Sequence, residues 1–249
     1  MDYLRYWSLR HSPFHASGRF FFTGAAQRRA IAGVESWVTR GHSFGLLVSS
    51  NGQGTTTLLN HLCSNRGFGD CATEFVLTPG GRSQVFRPLD LLAEQLGMGS
   101  SANIESSVAA ALNASARQSI RTVWLIDQCA EVTATGARRL AKQFQSLTVV
   151  AAVGDHVDHR IGIGPRQRIS LGPLDLKETQ SFIQHSLRAA GCVGKVFSTT
   201  SVERIHRWSL GSIKLICQLS EQLLVAAAKA GLRQITSSRE LVWPTRKAA

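Results

Sequence analysis

An apolar run, Phe44 to Val48, gives way to Ser49-Ser50-Asn51-Gly52-Gln53-Gly54-Thr55-Thr56-Thr57 and then to Leu58 and Leu59. No other stretch restricts the fold so much. The run reads as a buried strand, and Thr57 to Leu62 reads as the opening of a helix. Strand, small-residue loop and helix are the parts of a phosphate cradle. The loop N–H groups point inward, and the helix N-terminus adds partial positive charge. The usual pattern is G-x-x-x-x-G-K-[ST]. Ser49 stands at the first glycine, Gly54 matches the second, Thr55 replaces the lysine, and Thr56 matches the hydroxyl that holds Mg²⁺. The shape is kept while the main charge is lost. On the loop alone, a strand-to-helix turn with no ligand fits equally well.

A second stretch bears on that choice. Arg121-Thr122-Val123-Trp124-Leu125-Ile126-Asp127-Gln128 is an apolar strand ending in a carboxylate. At the carboxyl end of a parallel strand, beside a phosphate cradle, such an Asp holds Mg²⁺. The ATPase pattern continues with a Glu that polarises the attacking water. Gln128 occupies that place and cannot take a proton. Taken alone, Asp127 reads equally well as the start of a turn.

Between and beyond these stretches, helices alternate with buried strands. Ala25 to Arg40 is an amphipathic helix, with Gly41 ending it. Glu74 to Leu77, Leu147 to Val153 and Gln167 to Leu171 are further strands. Pro88 to Leu96, Glu105 to Arg117 and Ala134 to Gln145 are helices, with a Pro/Gly loop from Thr78 to Ser83 and a linker from Gly97 to Asn103. The alternation argues an α/β fold with a parallel five-stranded sheet flanked by helices. Ligands in such sheets sit outside the carboxyl ends of the strands, where both stretches would meet. After Gly172 the pattern turns all-helical, starting at a capping box, Asp175 with Glu178. A further short start is read at Ser237 and Glu240. The chain therefore divides into an aromatic and basic arm (1–22), an α/β core (23–171) and a helical lid (172–249). The arm's rings are expected to pack on the main domain, with stacking of single-stranded nucleic acid as the lesser alternative.

Lys and Arg total 28 against 16 Asp and Glu, a net charge of +12. Nucleic acid, an anionic membrane face and an acidic protein all suit that surplus, and its scatter along the chain does not choose among them. The five cysteines are odd in number and lack C-x-x-C spacing, which reads as free thiols in a reducing compartment. No apolar run approaches the roughly 20 residues of a membrane span. A cytoplasmic location is expected.

Laid end to end, the motifs resemble AAA+ P-loop ATPases, and more closely the general secretion pathway protein A type and its transposition-helper relatives. Tyr6-Trp7-Ser8-Leu9-Arg10-His11-Ser12-Pro13-Phe14 is similar to that family's opening Y-F-G-L-x-x-x-P-F, and Arg19-Phe20-Phe21-Phe22 to its following aromatic segment. Gly54-Thr55-Thr56-Thr57-Leu58-Leu59 parallels G-K-T-T-L-L, and Leu125-Ile126-Asp127-Gln128 parallels L-I-D-E. Glu178-Thr179 with Ile183-Gln184-His185-Ser186-Leu187-Arg188-Ala189-Ala190-Gly191, and Ser209-Leu210-Gly211-Ser212-Ile213-Lys214-Leu215-Ile216, resemble its lid. The resemblance implies ATP or ADP held by Ser50, Asn51, Gly52, Gln53, Gly54, Thr55, Thr56 and Thr57, with Mg²⁺ on Thr56 and Asp127. It puts Lys214 where the lid arginine meets the nucleotide, Arg168 where an arginine finger stands, Gln128 at the catalytic Glu, and Asp155 after the sensor strand. The Walker A and Walker B motifs are thus degenerate. The resemblance also implies a protein partner: a homo-oligomer, a related AAA+ subunit or a membrane secretion component.

Three readings stay open. The first is a degenerate ATPase that binds nucleotide weakly, hydrolyses it little or not at all, and acts as a nucleotide-responsive or scaffolding partner. The second is an active ATPase rescued by another cation, such as Lys214 or a neighbour's Arg. The third is a DNA-associated helper, consistent with the +12 charge. The chain stops at Arg246-Lys247-Ala248-Ala249, without the membrane span and peptidoglycan-binding tail of longer secretion-family members.

Overall fold

The computed structural model describes residues 2–14, 21–64, 67–68, 71–81, 87–99, 103–158 and 160–236. Arg19 and Phe20, the turn at Asn65 and Arg66, the loop end at Ser83, the linker at 100–102 and the start read at Ser237 and Glu240 lie outside them. The strands are β1 (Phe44–Ser49), β2 (Gly67–Phe68), β3 (Cys71–Thr78), β4 (Arg121–Ile126), β5 (Leu147–Val153) and β6 (Arg168–Leu171). The helices are α1 (Tyr3–Tyr6), α2 (Ala25–Thr39), α3 (Thr55–Cys63), α4 (Pro88–Gln95), α5 (Ile104–Arg117), α6 (Glu131–Gln143), α7 (Asp155–Asp158), α8 (Leu176–Ala189), α9 (Thr199–Ser209) and α10 (Ile213–Lys229).

Contacts divide the chain into two compact units. One holds Ala25–Asn51 and Thr55–Gly172; the other holds Met1–Gly24, Gly52–Gly54 and Pro173–Ala249. The first is the α/β unit. Its sheet runs β2-β3-β4-β5-β1-β6, with every pair parallel except the short β2–β3 edge. The five parallel strands are those read from sequence, and β2 is an addition. It is too short for any pattern to betray: two residues, Gly67 and Phe68, turned back on Cys71 and Ala72. All of β5 is buried, as are five residues of β1 and five of β4. A parallel sheet covered by helices on both faces produces that unbroken burial.

Helix α2 shows how closely the layers meet. Its apolar stripe, Ala26, Ala30, Val34, Trp37 and Val38, is buried. A methyl group on Gly45 of β1 would lie 2.3 Å from the Trp37 ring, and one on Gly33 would lie 2.4 Å from Ile169. Glycine at each position lets the ring and the strand approach. The Trp37 indole N–H then donates to the Arg166 carbonyl at 3.0 Å.

The helical unit is built on α8, α9 and α10. Asp175 and Glu178 form the reciprocal capping box expected at the start of α8, at 2.7 and 3.0 Å. Its core joins Phe182, Ile183, Ile205, Ile216 and Leu224 to Trp7, Leu9 and Phe14. The aromatic arm thus packs here, not on the sheet as its sequence suggested. Trp7 donates its indole N–H to the Leu224 carbonyl at 3.0 Å, and Tyr6 its hydroxyl to Leu232 at 3.0 Å. The hydroxyls of Tyr3 and Ser12 converge on one oxygen of Glu221. The physical reason is cover. The apolar side chains of α8 and α10 need a fourth wall, and the rings of Tyr6 and Trp7 help seal it while their polar tips bond carbonyls within and beyond α10. Among the described residues no helix is long and apolar enough to cross a membrane.

Candidate functional site

The loop Ser50 to Gly54 leaves the carboxyl end of β1 and enters α3. Gly52 and Gly54 adopt φ of 89° and 84°, a region that side chains avoid, so the loop's two sharp bends require the glycines found there. Among the described residues, no N–H from Gly52 to Thr56 donates to a backbone acceptor. Those donors, at a helix N-terminus, are what an anion would satisfy. Gln53 is buried at 6% exposure, and its side-chain oxygen has no hydrogen-bond partner among the described residues. Asn51, Ser50, Thr56 and Thr57 are exposed.

The two altered positions of the loop touch each other. The Ser49 and Thr55 hydroxyls, at the places of the first glycine and the lysine, share a hydrogen bond of 2.6 Å. Beside them, Ser50 donates its hydroxyl to Asp155 at the start of α7. The base of the loop is therefore closed by neutral groups and by one carboxylate. Neither pairing was read from sequence. The hydroxyls at both ends of the loop were not a usable signal, because a six-residue separation is meaningless until the chain is seen to fold back on itself.

Thr56 and Asp127 come together as expected. The Thr56 hydroxyl donates to Oδ2 of Asp127 at 2.7 Å, and the Gln128 N–H donates to Oδ1 at 3.0 Å. Asp127 is only 3% exposed. Its backbone is pinned to neighbouring strands by Asp127 N–H to the Thr78 carbonyl and Cys129 N–H to the Ala152 carbonyl, at 2.9 and 2.7 Å. Among the described residues this buried carboxylate has no ion-pair partner. A carboxylate and a hydroxyl side by side are hard oxygen donors of the kind Mg²⁺ takes, so the pair fits that ion.

Gln128 follows with φ of 46°, in the left-handed region. Its exposed amide lies over Gly80, where a methyl group would sit 2.6 Å from the amide carbon. Arg168 is not a free cation. Its guanidinium lies 2.8 Å from Asp158, which is 8% exposed, although the two are misaligned for an N–H···O bond. In the helical unit, the Lys214 N–H donates to the Gly52 carbonyl at 3.0 Å, and Ser212 approaches the same oxygen at 3.4 Å. Gly52 has no room for a side chain here, since its methyl would meet Lys214 and Ser212 at 2.9 Å.

No protein-family model matches the chain, and no curated protein matches it. Solved structures do. The Holliday junction branch migration motor RuvB of Thermotoga maritima is 18% identical, with a TM-score of 0.51 over 87% of this chain and 67% of its own. The ORC2 protein of Aeropyrum pernix, in its ADP form, is 11% identical, with a TM-score of 0.58 over 90% of this chain and 69% of its own. A Walker-type ATPase of Pyrococcus abyssi is 11% identical, with a TM-score of 0.60 over 89% and 73%. At such identities the likeness speaks for architecture. The chain shares the architecture of these structures, an α/β P-loop NTPase-like fold with five parallel strands flanked by helices.

Proposed function

We propose that this protein is a degenerate AAA+ ATPase of the general secretion pathway protein A kind, which binds ATP or ADP weakly and turns it over little or not at all. In this reading it serves as a nucleotide-responsive or scaffolding partner of a related AAA+ subunit or a secretion component. The observation that carries the proposal is the Ser49–Thr55 hydroxyl pair at 2.6 Å, sitting beside an intact Thr56–Asp127 pair at 2.7 Å. The first occupies the place of the phosphate-binding cation with two neutral groups. The second keeps the oxygens suited to a metal.

Gly52 and Gly54 would bend loop N–H groups toward phosphate oxygens, and Thr56 with Asp127 would hold Mg²⁺. When bound, Mg²⁺ supplies positive charge to the phosphate oxygens. Lys214 would carry the lid's charge, without the planar fork of an arginine. Gln128 has no basic atom with which to take a proton from water. A missing general base costs about 10² to 10⁴ in rate. A missing charge-stabilising group costs on the order of 3 kcal/mol more. Arg168 is held by Asp158, which argues against its acting on a neighbouring subunit.

Titration of the full chain with a fluorescent ATP analogue and Mg²⁺ tests the proposal, with Thr55→Lys as repair. We expect weak binding by the natural protein, strengthened at least about tenfold by the repair, a gain of roughly 1.4 kcal/mol. Turnover should fall well below about 1 s⁻¹, the low end of ordinary enzymes. A natural turnover of that size, or no binding even after repair, overturns it.

A further inference from the structure

We propose that the turn at residues 192–195, between α8 and α9, is a docking surface for an acidic segment of a partner protein. The surface belongs to the helical unit and shares no lining residue with the loop at 50–57, so it does not rest on the nucleotide reading. Two hollows flank the turn. One, of about 460 Å³, opens toward Tyr6, Trp7 and Arg233; the other, of about 220 Å³, opens toward Arg188 on α8. Val193 and Lys195 border both.

Three features fix the chemistry of the occupant. Val193 is 96% exposed, although nothing in a turn demands a branched apolar residue held in water. Arg188, Lys195 and Arg233 are exposed, and among the described residues none of them is in an ion pair. Among the described residues no carboxylate lines either hollow. An apolar knob ringed by unpaired cations complements a segment with carboxylates around an apolar side chain. Single-stranded nucleic acid would need ring faces to stack on. Trp7 is only 7% exposed with its indole N–H committed to Leu224, and Tyr6 is committed to Leu232 and packs edge-on against Trp7. The rings wall the hollow and offer no platform.

The test uses the full chain and a fluorescein-labelled peptide of alternating glutamate and leucine, at about 0.1 M salt, where charges more than roughly 10 Å apart are screened. A lysine–leucine peptide and an oligothymidine are run beside it. We expect the acidic peptide to bind. Lys195→Glu with Arg233→Glu should weaken it by about tenfold or more, and Val193→Ser by several-fold. Arg40→Glu with Arg139→Glu, two exposed cations of the other unit, should change it less than about twofold. Circular dichroism melts confirm folding, and Lys195→Ala with Arg233→Ala replaces the reversal if that variant does not fold. Absent binding, equal losses from the two reversed pairs, or oligothymidine binding that fails on the same reversal overturns the proposal. So does self-association of the chain alone that the Lys195 and Arg233 reversal abolishes.

Discussion

In the proposed phosphate loop, hydroxyls stand where the pattern has a glycine and a lysine, and the two satisfy each other. Ser49 and Thr55 are each half-buried, and either hydroxyl without the other would be a poorly satisfied polar group. Ser49→Ala and Thr55→Val should each cost about 1 kcal/mol, and the double variant should cost less than their sum. Urea unfolding of the four proteins measures this. Full additivity would mean that the two hydroxyls are independent. The same logic says that Thr55→Lys restores a cation while leaving Ser49 unpartnered. Asp127 was legible in the sequence because an apolar strand ending in a carboxylate is a local pattern. The Ser49–Thr55 and Ser50–Asp155 pairs were not, because they depend on where a loop returns in space.

Elements were legible in proportion to their length and burial. β1, β4 and β5 are mostly apolar, and all but the last residue of β1 and the first of β4 are buried, as such runs must be in a covered parallel sheet. α8 announces itself through its capping box, which the structure closes with both hydrogen bonds. The two-residue β2 has no period to detect. Close contact between layers is equally silent in the sequence. Gly45 looks like an ordinary weak point in a strand, yet the Trp37 ring occupies the space its side chain would need. Gly45→Ala should therefore destabilise the protein by about 1 to 3 kcal/mol, lowering the urea midpoint with the slope unchanged. Trp37→Leu in the same background should recover part of the loss. A neutral Gly45→Ala would show that the helix α2 layer yields easily.

For the molecule as a whole, the cysteines report on packing. Burial pushes the Cys129 and Cys217 thiols from an ordinary 9.0 up to about 12, with the Glu221 charge adding to the rise at Cys217. Burial also raises Cys63. The folded state thus holds these protons more tightly than the unfolded chain. The stability this confers is complete below the unfolded value of 9.0 and is lost as pH climbs through about 12. Iodoacetamide at about pH 8 should label buried Cys129 and half-buried Cys217 much more slowly in the native protein than in urea, as read by mass spectrometry. Native labelling as fast as in urea would contradict the packing around them. The division of the chain was partly legible: the switch from alternating strands and helices to helices alone after Gly172 is plain in the sequence. The home of the first residues was not, since an aromatic segment carries no address.

That home has a consequence for synthesis. The indole of Trp7 is bonded to a carbonyl 217 positions later, and the α/β unit is encoded almost entirely in between. In a nascent chain the segment around Trp7 would be made long before its partner helix, whereas the sheet can assemble from residues already translated. That segment therefore waits for α10 while the strands between them pair.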